Sequence, residues 1–174
     1  LSFVVTDEGV VVVNSGASAS LAKALHYEIK RITDKKVVAV INENGQGHAM
    51  LGNSYWADIG VEIIAHEDAA HEFEDNGAQI LDRMLRYNLD KGAGTKLVKP
   101  TLTFSDKYII ELGGQRIEAL YLGPAHSPGD ILVWLPLAKL VISGDMAFHE
   151  RLLPIFPDTN TAEWIETWDN YFEK

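Results

Sequence analysis

Two short segments of this chain carry side chains suited to binding a metal ion. Gly123-Pro124-Ala125-His126-Ser127-Pro128-Gly129-Asp130 offers the imidazole of His126, and Ser143-Gly144-Asp145 offers a carboxylate. Each lies just beyond an apolar run, where a strand gives way to a loop that can present side chains. A third segment, Asn42 to Gly52, is polar and glycine-rich and leaves the C-terminal end of the run Val37 to Ile41. Ligand sites in α/β proteins favour that position. It holds Glu43, Asn44, Gln46 and His48. Imidazole and carboxylate are good zinc ligands, and a zinc ion with an open position activates water and polarises a carbonyl oxygen, so the chemistry in view is hydrolysis. Without metal, His48 could act as a general base, but nothing obvious replaces the electrophile.

The elements that must position these groups follow from the pattern of apolar residues. Phe3 to Val5 and Val10 to Val13 are β-branched runs around an Asp-Glu-Gly break, which predicts a hairpin. Ser18 to Thr33 carries Leu21, Leu25, Ile29 and Ile32 at helical spacing. A short helix is expected over Asn53 to Ile59, a strand over Val61 to Ala65, and a long helix over Glu67 to Asn88 with Phe73, Ile80, Leu81, Met84 and Leu85 on one face. Leu89 to Pro100 reads as a loop. Gly113-Gly114 between Tyr108 to Leu112 and Arg116 to Leu122 is a strong hairpin signal. Ile131 to Leu135 and Lys139 to Ile142 form a further strand pair, and Asn160 with Glu163 caps a last helix striped by Trp164, Ile165, Trp168, Tyr171 and Phe172. Strands mixed with one-faced helices predict helices covering sheets, an α/β (α+β) sandwich.

Composition sets outer bounds. The 174 residues fit one domain, 1–174, or an incomplete larger one. The formal charge of −10 argues against nucleic acid or an anionic membrane as partner. The absence of cysteine excludes disulfides and thiolate zinc sites. No apolar run approaches the roughly 20 residues of a membrane span. A start at Leu1 directly before strand-like sequence suggests a trimmed beginning.

Taken in order, these landmarks resemble the metallo-β-lactamase superfamily. Gly9 to Gly16 looks like its opening G-v-v-v-D-t-G segment, with Asn14 in place of Asp. Val37 to Asn53 looks like v-i-n-T-H-x-H-x-D-H-x-x-G-N, Gly123 to Asp130 like G-p-a-H-t-p-G-D, and Ser143-Gly144-Asp145 like f-x-G-D. Asp130 to Pro136, and Arg151 to Pro154 followed by Trp164, resemble a branch described as quinoprotein relay system metallohydrolases. The resemblance implies a four-layer αββα sandwich with a dinuclear metal site at one edge of two sheets. It favours a periplasmic or secreted setting over a cytoplasmic one. It also implies that a C-terminal part with a further ligand histidine is missing beyond Lys174.

Carried over by position, one metal would see Asn44, Gln46 and His126, the other His48 and Ala49, with Asp145 bridging. Amides are weak zinc donors and alanine offers nothing, so the ordinary dinuclear centre is expected to be absent or much weakened. His48, His126 and Asp145 remain as two imidazoles and a carboxylate, a set that suits one zinc, or less readily non-haem iron. Asp145 and His48 are then the expected catalytic groups, and Asn44 and Gln46 read more readily as structural amides than as ligands. Glu43 reads as a solvated acid, Arg151 as a surface salt bridge rather than a contact for an anionic substrate, and His149 as a reserve ligand. His26, His66 and His71 read as structural or exposed. The expected function is a metal-dependent hydrolase of unknown small-molecule substrate, with a non-catalytic binding or interaction module as the alternative. Homo-oligomerisation stays open.

Overall fold

The computed structural model describes residues 1–157 and 159–172, and the side chains of these except Tyr171 and Phe172. The first half builds a five-stranded sheet in the order β1 (Ser2–Val5), β2 (Val10–Val13), β3 (Val37–Asn42), β4 (Glu62–His66) and β5 (Leu102–Phe104). β1 and β2 form the expected antiparallel hairpin, and β2 through β5 run parallel. Parallel strands need crossovers, and these are α1 (Ala19–Ile32), the short helices α2 (Gly47–Met50) and α3 (Asn53–Asp58), and α4 (Glu67–Asn88). The second half builds an antiparallel sheet of β6 (Lys107–Leu112), β7 (Gln115–Leu120), β8 (Leu132–Leu135) and β9 (Leu140–Ile142). A last helix, α5 (Thr161–Thr167), continues as a π-helical turn over Trp168–Phe172.

The period of two along a strand decides the layering. Val11, Val13, Ile41 and Ile64 of the first sheet meet Ile117, Ala119, Val133 and Leu135 of the second in one buried cluster between the sheets. The alternate residues Val10, Val12, Val40 and Ile63 face outward and are covered by Ala22 and Ile29 of α1 and Trp56 of α3. β2 is therefore buried on both faces and tolerates its unbroken run of valines. On the far face of the second sheet, Leu132 packs with Met146 and with Trp164 of α5. Helix, sheet, sheet, helix is the expected αββα order.

Several local expectations shift. The segment Asn42 to Gly52 is not all loop: Gly47–Met50 is helical, and Met50 and Leu51 are driven into the core beside Phe73. β5 follows Pro100 and is short, so its Leu-Thr-Phe carried no period to detect. The buried stripe of α1 runs through Ala22, Leu25 and Ile29, and Leu21 and Ile32 are exposed. In α4, Gly77 is buried against Leu97 while Leu85 is exposed. In α5, Trp164 and Thr167 are the buried pair and Ile165 is exposed. Tyr171 and Phe172, the end of the expected stripe, have side chains outside the described residues.

Candidate functional site

Four loops meet at one edge of the two sheets. The turn after β2 places Asn14 at φ 68°, in the left-handed region that asparagine tolerates. Its side-chain oxygen accepts a hydrogen bond from the backbone N–H of Glu43 at 3.0 Å, fixing the first residue past β3. The carbonyl of Glu43 in turn accepts from the N–H of Ile131 at 2.9 Å, which ties the two sheets together at the site. Below, Asn42 and Asn53 exchange side-chain hydrogen bonds at 3.0 and 3.1 Å, and Asn42 also donates to the carbonyl of Ala49. This buried amide pair sets the path of the loop carrying His48.

Glu43 is buried and not solvated, which corrects the sequence reading. Its Oε1 lies 2.7 Å from Nε2 of His48. Gly144 at φ 53° lets the loop after β9 pass against the Glu43 carboxylate, where any Cβ would collide. That approach brings Asp145 Oδ2 to 3.5 Å from His48 Nε2 and 3.9 Å from His126 Nε2. Ligand atoms of Glu43, His48 and Asp145 all lie within 4.8 Å of one another, a group able to hold a metal ion. His126 adjoins it through Asp145. His126 is 1% exposed, sits among Phe148, Phe156 and Trp164, and its Nδ1 has no hydrogen-bond partner among the described residues.

Asn44 directs its amide at two acids. Its Nδ2 donates to Asp130 at 3.0 Å and to Asp145 at 3.2 Å, while its oxygen accepts from the N–H of Gln46. Gln46 lines the cleft, and Ala49 is fully buried in the core beside Met50 and Leu51. Asp130 is buried, accepts from the N–H of Ser127, and has its carboxyl pushed up to about 7 by burial, opposed by those hydrogen bonds. Burial also disfavours charge on His48, but the hydrogen bond to Glu43 and the nearby carboxylates outweigh it, so its pKa is raised.

The remaining candidates separate from the site. His66 is buried, accepts from the Asp68 N–H at the start of α4 and stacks on Tyr121 at 3.8 Å. Its other nitrogen lies 2.7 Å from the Ser105 carbonyl, so the ring ties the start of α4 to the segment after β5. His149 points to solvent beside Glu150 and is no reserve ligand in this arrangement. Arg151 makes no salt bridge among the described residues, contrary to expectation, and its guanidinium lies 5.0 Å from the Phe148 ring centroid. The cleft over the group encloses about 750 Å³.

The fold and site define a hydrolase-type αββα scaffold with an acid–histidine cluster at the sheet edge. The chain belongs to the metallo-beta-lactamase superfamily, whose profile matches residues 48–173. It is 22% identical to a metallo-beta-lactamase type 2 from Bacteroides fragilis over 95% of this chain and 63% of that protein. The chain thus spans less than two thirds of that relative. It is 28% identical to the acyl-coenzyme A thioesterase MBLAC2 of Bos taurus over 44% of this chain and 27% of that one. Among solved structures, a metallo-beta-lactamase from Pontibacter korlensis superposes with TM-score 0.82 at 19% identity, covering 98% of this chain and 72% of its own. Metallo-beta-lactamase IND-7 superposes with TM-score 0.80 at 18% identity, covering 99% and 71%.

Proposed function

We propose that this chain is a metal-dependent hydrolase with a remodelled site for a single divalent ion, held by Glu43, His48 and Asp145 with His126 alongside. Zinc suits the imidazole and carboxylate donors; iron is the second choice. The observation that supports this reading is the convergence of those three ligand atoms within 4.8 Å at the floor of a cleft. The donor set fits a cation on charge as well. Two acids face each other with one imidazole between them, and a proton or a divalent ion can balance them.

A divalent ion there would supply Lewis acidity, polarising a carbonyl oxygen and acidifying a water. The chain's own groups do the rest. Asp145 Oδ2, held by the Asn44 amide, is positioned to accept the proton of an attacking water. Glu43 fixes the ring of His48. The aromatic packing around His126 excludes water from that side. Relatives named as a β-lactamase and an acyl-coenzyme A thioesterase support an acyl carbonyl as the reacting centre.

The alternative is a binding module without catalysis. It is favoured by Asn44, Gln46 and Ala49, the first engaged by acids, the last buried. Elemental analysis of protein purified without chelator separates the two. About one zinc or iron per chain, lost in Glu43→Gln, His48→Ala and Asp145→Ala, is the expected result. No metal after reconstitution with zinc, iron or manganese leaves only the binding module.

A further inference from the structure

We propose that the cleft has a second arm, along α4, that seats an extended amide-bearing chain, so that the preferred substrates are acyl compounds with a neutral, peptide-like tail. This deepens the hydrolase reading and rests on it for the kinetic part of the test alone. A second cavity, of about 700 Å³, opens beside the acid–histidine cluster. Gln46, His48 and Phe156 line both it and the cleft over the cluster, so the two spaces adjoin at the cluster's histidine. The His48 side chain is 42% exposed, which leaves a path over its ring from the cluster into the second cavity.

One wall of this cavity is α4. Asn76, Gln79, Arg83 and Tyr87 line it at spacings of three and four, a single row along one face of the helix. From Asn76 to Tyr87 the row spans about 16 Å, the reach of about five residues of extended chain. Gly47 brings this wall against the site. A Cβ there would lie 2.7 Å from Ile80 Cγ2, so the loop carrying His48 passes directly against the helix. Leu51, Ile80 and Met84 give the cavity an apolar surface that suits the side chains or methylenes of a bound chain. Four side-chain amides also line it, those of Gln46, Asn76, Gln79 and Asn88, and none hydrogen-bonds to a described residue. Each amide presents both a donor and an acceptor, the complement of a peptide group. The formal charges of Glu72 and Arg83 balance, so the cavity does not call for a charged tail.

The test titrates the metal-free chain with N-acetyl-pentaalanine amide, followed by amide chemical shifts of the protein. N-acetylalanine amide serves as the short probe, and 1,10-decanediol as a long neutral probe without amides. The pentapeptide should bind saturably and more tightly than either, with shifts concentrated at Gly47 and along α4 from Asn76 to Tyr87. Asn76→Ala combined with Gln79→Ala should weaken its binding by roughly tenfold, as expected for the loss of two hydrogen bonds. Gln79→Trp should obstruct the arm and abolish the advantage of the long peptide over the short one. Ala78→Trp, exposed on the same helix and outside the cavity lining, should change nothing. No saturable binding of the pentapeptide, equal affinity for the diol, shifts away from α4, or unchanged affinity in the Asn76 and Gln79 variants overturns the proposal. In the metal-loaded protein, Gln79→Trp should raise KM for an ester bearing the peptide tail and leave a short ester unaffected. Peptide binding along α4 without turnover of any ester would sink the hydrolase reading while leaving the peptide site standing.

Discussion

Asn44 shows how a single residue can change what a loop does. At the position where the superfamily resemblance calls for a histidine, a neutral amide donates one N–H to Asp130 and the other to Asp145. Those bonds hold two acids in fixed places without adding charge. Removing the amide leaves a buried carboxyl short of a donor, which costs about 1–3 kcal/mol. Asn44→Ala should therefore lower the unfolding free energy measured in urea by that amount, seen as a lower midpoint with the denaturant slope unchanged. An unaltered midpoint would mean that water replaces the amide at no cost. Glu43 is the complementary case, an acid that sequence reasoning set aside as solvated. The only signal available for it was its adjacency to the end of β3. What buries it is Asn14 gripping its N–H and Gly144 closing over it, contacts across 29 and 101 positions that no local pattern reports.

At the scale of elements, the loops are set by where strands end, and glycines decide how closely the loops approach. Much of this was legible. The strand runs, the hairpins, the long helix over Glu67–Asn88 and the capping asparagine of α5 all follow from period and punctuation. What was not legible depended on tertiary contacts. The helical turn Gly47–Met50 forms because Met50 and Leu51 find the core beside Phe73, and the exposed ends of the α1 stripe reflect which helix face meets Val10 and Val12. Two glycines separate local strain from close approach. Gly114, at φ 74°, has open space around its missing Cβ, whereas Gly144, at φ 53°, would drive a Cβ into Glu43. Gly114→Ala should cost about 1–2 kcal/mol from left-handed strain alone. Gly144→Ala should cost more in the same denaturation experiment and also weaken metal uptake, because Glu43 must move. Equal costs and equal metal content in the two variants would show that the approach to Glu43 has room to relax.

For the molecule as a whole, the site concentrates acid within an already acidic chain, and stability should report it. Asp130 releases its proton near its ordinary value of 3.8 when unfolded but near 7 when folded. The folded state therefore holds a proton that the unfolded state has lost, and this contribution is present below about pH 4 and disappears as pH rises toward 7. His48, with its pKa raised in the fold, acts in the same sense: its contribution is full below its ordinary value of 6.5 and is lost as pH rises through the folded value. The metal-free protein should thus melt at a lower temperature at about pH 8 than at about pH 5.5. Self-repulsion of a chain with net charge −10 gives a slope of the same sign, so the slope alone is not diagnostic. Asp130→Asn removes the local titration while changing the global charge by a single unit, and should flatten the profile between those pH values. A divalent ion provides the other control. Binding only to the folded chain, zinc should raise the melting temperature more at about pH 8 than at about pH 5.5, because the proton on His48 that the ion must displace is held less as pH rises. A profile that keeps its full slope in Asp130→Asn, with zinc equally effective at both pH values, would assign the pH dependence to net charge and not to the cluster at the sheet edge.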